Sequence, residues 1–204
     1  MSIKRTTVYF EKPGKVNTEE THRISLDAAK ERGIDTVIIA STTGETGLKA
    51  LKVFKDSGLQ LVVVTHQTGW SAPGVQLMPK ETRKILEKAG VTVVTCTDAL
   101  AGGVEVGISR QRPEKMATLE ARLPYIVPPV TRIISSTLKL FGNPIKVCVS
   151  ISMMAADTGA VPIDKPVIAV AGTHSGSDTA IVTTPSTTNR ILDMKIHEIL
   201  VKTL

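Results

Sequence analysis

Four short runs of apolar, largely β-branched residues limit what this chain can fold into: TVIIA (36–40), LVVVT (61–65), VTVVT (91–95) and PVIAVAG (166–172). A strand with one wet face alternates apolar and polar residues, whereas an unbroken run is the pattern of a strand covered on both faces. Helical patterns separate the first three runs. In TGLKALKVFKDSG, Leu48, Leu51 and Phe54 share a helical stripe, and PKETRKILEKAG opens with Pro79 at a first helical turn and closes at Gly90. Parallel neighbours need a covering helix to return the chain, so this alternation predicts an α/β fold, a parallel sheet with right-handed crossovers. Aromatics make up only 3% of the 204 residues, which leaves the core to Val, Ile, Leu and Ala. The chain reads as a single domain over 1–204, because it is long enough for a full core and no repeat or Gly-, Ser- or Pro-rich linker divides it.

The remaining elements follow from local signals. TTVYF (6–10) is a short β-type run, and EKPGKVN supplies a turn after which Asn17 can cap a helix, with Glu20 completing a capping box. That helix is expected to reach about Glu31, with Gly33 as a left-handed C-terminal cap. Residues 97–127 are less regular and read as an insertion carrying a helix near 113–122. Two helices then follow, PVTRIISSTLKLFG ending at Gly142 and NPIKVCVSISMMAADTG opening on an Asn143 cap with Pro144 in the first turn; their apolar faces should cover the sheet. TAIVTTP is expected as an edge or antiparallel strand. ILDMKIHEILVKTL is expected to end in a strand, since Ile196, Ile199 and Val201 do not fall on one helical stripe.

Charge and composition narrow the function. The 25 basic and 19 acidic residues, a net +6, are interspersed, and few aromatics are available for base stacking, so nucleic-acid binding is not expected while an anionic metabolite is compatible. No apolar run approaches the roughly 20 residues of a membrane span, and the N-terminus lacks a signal-type segment, which predicts a cytoplasmic protein without membrane contact. Cys96 and Cys148 are too far apart for a metal knuckle and read as reduced packing residues, and no His-x-x-x-His or paired-carboxylate spacing suggests a metal.

Segments that follow parallel strands emerge at their carboxyl ends, so STTGETG, HQTGW, CTDALAGG and AGTHSGSD are expected along one rim, where ligands of such sheets bind. The first contains Ser41, Thr42, Thr43, Gly44, Glu45 and Thr46 at the mouth of a helix. Its unpaired amides and dipole could hold a phosphate without a cationic side chain; equally, the hydroxyls could simply cap the helix. A second loop of this kind, Gly172, Thr173, His174, Ser175, Gly176, Ser177, Asp178 and Thr179, follows another buried run. Neither matches a Walker loop or the GxGxxG fingerprint, so a nucleotide triphosphatase is not expected. His66 and His174, near strand ends, could move protons or bind a ligand, whereas His22 and His197 read as surface positions. Cys96 has no base legible beside it and reads as structural.

STTGETGLKALKVFKDSGLQLVVVTH resembles the phosphate-binding strand–loop–helix of the pyruvate kinase C-terminal domain, and AGTHSGSDTAIVTTP is similar to that domain's glycine-rich effector loop. YFEKPGKVNTEET, THQTGW, MAADTGAVP and GSDTAIV further resemble a small family of stand-alone proteins, mostly archaeal, named for that domain; the likeness covers nearly the whole chain. It implies a three-layer α/β/α fold with a mostly parallel mixed sheet and an association with flavin mononucleotide (FMN). The phosphate would lie on residues 41–46, residues 172–179 would close over the ligand, and His66, Gln67, Thr68 and Gly69 would share the rim. Trp70 could then stack on the flavin ring or pack against a neighbouring turn, and Asp178 could bind a ribityl hydroxyl or brace a turn. Glu45 stands where the kinase loop carries a basic residue, which argues against a sugar bisphosphate, and the catalytic barrel of pyruvate kinase is absent. The expectation is a binder of a phosphorylated small molecule, FMN first, with flavin-dependent oxidoreduction open. The alternative is a regulatory or sensing module for a sugar phosphate, and a homo-oligomer is compatible with either.

Overall fold

Burial partners alternate along the strands, and that alternation builds the layers. Val37, Ile39, Leu61, Val63, Ile168 and Val170 face one hydrophobic cluster; Ile38, Val62, Val64, Val167, Ala169 and Ala171, their sequence neighbours, face another. The runs at 36–40, 61–65 and 166–172 are therefore covered on both sides, as unbroken apolar sequence requires; the run at 91–95 is not, because it forms an edge strand of the sheet with Thr92 and Thr95 exposed. The computed structural model describes residues 2–104 and 129–204, so the helix expected near 113–122 lies outside the described residues.

The strands are β1 (Val8–Phe10), β2 (Thr36–Ala40), β3 (Gln60–His66), β4 (Thr92–Cys96), β5 (Val167–Ala171), β6 (Thr179–Thr184) and β7 (Lys195–Thr203). They form one seven-stranded sheet in the order β1-β7-β6-β5-β2-β3-β4. β2 lies between β3 and β5, parallel to both, with Ile38 opposite Val62 and Ala169. Among the described strands only β6 runs against its neighbours, β5 and β7. The helices are α1 (Thr18–Arg32), α2 (Glu45–Phe54), α3 (Lys80–Lys88), α4 (Val130–Lys139) and α5 (Asn143–Asp157). Residues of α1, α2 and α3 enter the first cluster, while α5, with α4 packed on it, covers the opposite face. The architecture is a three-layer α/β/α sandwich with a mostly parallel mixed sheet.

Several local expectations change. Asn17 does not form a capping box: it lies in a 3-10 turn (Lys15–Asn17) at φ −87°, ψ −3°, and its Nδ2 donates to the Lys12 carbonyl at 2.6 Å. A side-chain cap needs extended backbone at that position, which the tight turn denies. Asn143 is the first residue of α5 rather than its cap, with Gly142 preceding it. Of the two readings of TAIVTTP the antiparallel one holds: β6 runs against both neighbours and is interior, not an edge. Gly33 is the left-handed cap of α1 at φ 62°, and β7 is the expected terminal strand. Among the described residues no helix is long and apolar enough to cross a membrane. What matters for a site is direction: β2, β3, β4 and β5 all end at one rim, and β1, parallel to β7, ends there too.

Candidate functional site

Two loops meet at this rim, and internal contacts fix most of both. Ser41 is buried; its amide donates to the Val64 carbonyl (2.9 Å) and its Oγ accepts from the Gly47 amide (3.1 Å), so this hydroxyl caps α2 from inside. Thr65 Oγ1 donates to the Thr42 carbonyl at 2.7 Å, leaving the exposed Thr42 and Thr43 at the surface of the loop. Gly44 has φ 89°, and a Cβ there would collide with Thr82 Cγ2 on α3. The space its missing side chain leaves is filled by a helix, not reserved for a ligand.

The second loop is the hairpin from β5 into β6 rather than a strand-to-helix turn. Asp178, fully buried, ties it down: Oδ2 accepts from the Gly14 amide (2.7 Å) and the Thr173 amide (3.0 Å), and Oδ1 accepts from Thr179 Oγ1 (3.0 Å). Asp178 therefore braces the turn. Ser177 is bound to α1 through three contacts. Its amide donates to Thr18 Oγ1 (3.0 Å), its carbonyl accepts from Thr21 Oγ1 (3.2 Å), and its Oγ meets His22 Nε2 (3.0 Å). His22 is consequently not a surface residue but fully buried, because the backbone polar groups of the loop need partners that α1 supplies. Burial, with Lys49 nearby adding to it, lowers its pKa from 6.5 to about 4, so the imidazole is neutral near pH 7. A Cβ on Gly172 would strike the Gly176 carbonyl, and one on Gly176 would strike Thr18 and Lys15, so these glycines serve chain packing. His174, at φ 63°, is the non-glycine with positive φ among the described residues.

Between the loops and α5 lies a cleft of about 580 Å³. One wall is polar: Ser41, Thr42, Thr43, Glu45 and Thr46 from the first loop, Gly172, His174, Ser175 and Gly176 from the second. The facing wall carries Asn143, Val147, Ser150, Ile151 and Met154 of α5, the last two almost fully buried, with Asp98 and, from the strand ends, Ala40 and Val64. Thr65 and His66 also line it. Ten predicted residues thus converge: Ser41, Thr42, Thr43, Glu45, Thr46, His66, Gly172, His174, Ser175 and Gly176. Gly44, Gln67, Thr68, Gly69, Thr173, Ser177, Asp178 and Thr179 belong to the same loops but do not form the cleft surface. Trp70 packs on His66, ring centroids 4.3 Å apart and planes within 5°, so it backs a lining residue instead of facing the cleft.

Sequence reasoning missed two features. Asp98, from the segment after β4, lines the cleft; its Oδ2 pairs with Lys146 Nζ (2.7 Å), and its Oδ1 accepts from Ser150 Oγ (2.7 Å) and the Leu100 and Ala101 amides. Burial alone would raise this carboxyl's pKa, but the Lys146 ammonium and the donated hydrogen bonds outweigh it and hold it below the usual carboxylate range. The signal was present as Lys146 and Ser150 at i, i+4 within a mostly apolar helix. Lys15 is the second: its Nζ lies 2.7 Å from Glu45 Oε1, bringing a cation to a loop that has none of its own. Thirty residues of separation hide it from any local pattern.

The thiols fit a structural reading. Cys148 is fully buried with Sγ 3.4 Å from the Ala169 carbonyl, and burial raises the pKa of both thiols. Among the described residues no group of His, Cys, Asp and Glu could hold a metal ion. No protein-family model matches the chain.

Proposed function

We propose that this protein binds a phosphorylated small molecule in the rim cleft, FMN first among the candidates, with the phosphate at residues 41–46 and an apolar ring against α5. The observation that carries this reading is the mixed lining of the cleft: hydroxyls and the N-terminus of α2 in one part, and in another the apolar Val147, Ile151 and Met154, interspersed with Asn143 and Ser150 of the same helix. A ligand with an anionic end and a flat apolar end satisfies both walls, and about 580 Å³ lies within the range of small-molecule sites. The sequence resemblance to the stand-alone relatives of the pyruvate kinase C-terminal domain favours FMN among such ligands. Residues Thr42, Thr43 and Thr46 would hold the phosphate, Met154 and Ile151 would shield the ring from water, and His66 and His174 would reach its polar edge. FMN, when bound, would supply a ring that accepts and returns electrons; no residue is assigned a chemical step.

A thermal-shift panel of FMN, riboflavin and sugar phosphates tests this. A ligand at a hundredfold excess over Kd stabilises by about 2.7 kcal/mol, which for a chain of this length raises Tm by roughly 5–10 °C. FMN is expected to produce that shift. A shift with a sugar phosphate alone would replace FMN by the sensing alternative, and no shift with any phosphate compound would overturn the proposal.

A further inference from the structure

Glu45, the first residue of α2, holds two lysines at the mouth of the cleft: Lys15 Nζ at 2.7 Å and Lys49 Nζ at 3.5 Å from the same carboxylate oxygen, Oε1. Lys49 is an ordinary helical partner at i+4. Lys15 is not local. It arrives on the turn after β1, where the Gly14 amide is fixed by Asp178 and the Lys15 Cα packs against Gly176, so the base of this side chain is anchored on the second loop while its head reaches the first. The side chain of Lys15 is 53% exposed and that of Glu45 56%, so both heads can turn without disturbing the core. Two ammonium groups on one carboxylate leave an excess positive charge beside a helix N-terminus that already favours anions. A phosphate monoester, close to two negative charges at neutral pH, matches that pair of cations better than the single charge of Glu45.

We propose that Glu45 is a placeholder anion, keeping Lys15 and Lys49 at the cleft mouth until a ligand phosphate takes its place, and that Lys15 thereby discriminates phosphorylated from dephosphorylated ligands. This rests on the reading of the cleft as the site of a phosphorylated ligand. Glu45 lines the cleft, whereas Lys15 and Lys49 both line the neighbouring groove between α1 and α2, so the carboxylate and its cations stand on opposite sides of one ridge. Rotation of Lys15 across that ridge replaces the carboxylate by the phosphate without moving the backbone. The placeholder also sets a cost. An anion must displace Glu45, so the same carboxylate that organises the lysines weakens binding and opposes a second phosphate on the ligand.

Binding of FMN and of riboflavin, followed by quenching of flavin fluorescence, tests the proposal on the wild type, Lys15→Met and Glu45→Gln. The wild type is expected to prefer FMN. Lys15→Met should reduce FMN affinity about threefold to tenfold and leave riboflavin unchanged, as for loss of one exposed charge-assisted contact. Glu45→Gln should raise FMN affinity several-fold, again without effect on riboflavin. A wild type that binds neither flavin overturns the FMN reading itself. A wild type that binds both equally, or an unchanged FMN preference in either variant, overturns the placeholder while leaving the cleft as the flavin site. Both positions are exposed, and a thermal melt of each variant confirms folding before titration.

Discussion

His22 sits at the junction of α1 and the hairpin loop with no water-exposed surface, hydrogen-bonded through one ring nitrogen to Ser177. Its folded pKa of about 4 lies below the 6.5 of an unfolded histidine, so the unfolded chain takes up the proton first as the pH falls. The stability this provides is complete above about pH 6.5 and drains away between 6.5 and 4, a loss of up to roughly 3 kcal/mol. Urea melts across that window should show a steeper decline for the wild type than for His22→Gln, and equal slopes would contradict the buried neutral imidazole. Glycine chemistry is just as local. Gly44→Ala should destabilise the protein by about 1–3 kcal/mol through both the collision with Thr82 and the positive φ. Adding Thr82→Ala should recover the collision and not the backbone strain, so a chemical melt of the double variant should fall between the single variant and wild type. Sequence made the glycines visible but not their purpose, because a residue's own neighbours cannot reveal which distant surface fills its missing side chain. The same blindness placed His22 on the surface: its buried contacts come from residue 177.

Elements were far more legible. The unbroken β-branched runs became β2, β3, β4 and β5, the interior three buried on both faces and the edge strand β4 only in part, and the helical stripes between became α2 and α3. Periodicity is a property of consecutive residues, so it survives without tertiary information. Helix starts were less readable: Asn17 stands at the N-cap position of α1 but makes no side-chain cap, and Asn143 falls one residue inside α5, whose cap is Gly142. How elements lock to one another was not legible at all. The segment after β4 is joined to α5 by Asp98, whose carboxylate accepts from Lys146 and Ser150 in a nearly dry environment. Lys146→Met should leave that carboxylate buried without its cation and cost about 3–5 kcal/mol. Combining it with Asp98→Asn should recover part of the loss, which differential scanning calorimetry can measure; no loss from the single change would refute the lock.

At the scale of the molecule, one direction of travel brings the turn after β1, the loops after β2, β3 and β4, and the hairpin after β5 to the same edge. Asp178 braces the turn after β1 to the hairpin, Ser177 ties the hairpin to α1, and the Lys15–Glu45 pair joins the turn after β1 to α2. The rim itself could be read from the sequence, because parallel strands leave no other place for the loops that follow them. The apolar wall could not, since Ile151 and Met154 are nearly fully buried core residues of α5, and nothing in the sequence of that helix shows that they also reach the cleft. This arrangement leaves a hydroxyl-lined edge facing an apolar helix across open space, and the account stands on a phosphorylated ligand filling it. A crystal structure of the protein grown with FMN tests that most directly. The account predicts phosphate density within hydrogen-bond distance of residues 42–46 and the ring against Met154; density for FMN anywhere else, with the cleft holding only water, would contradict it.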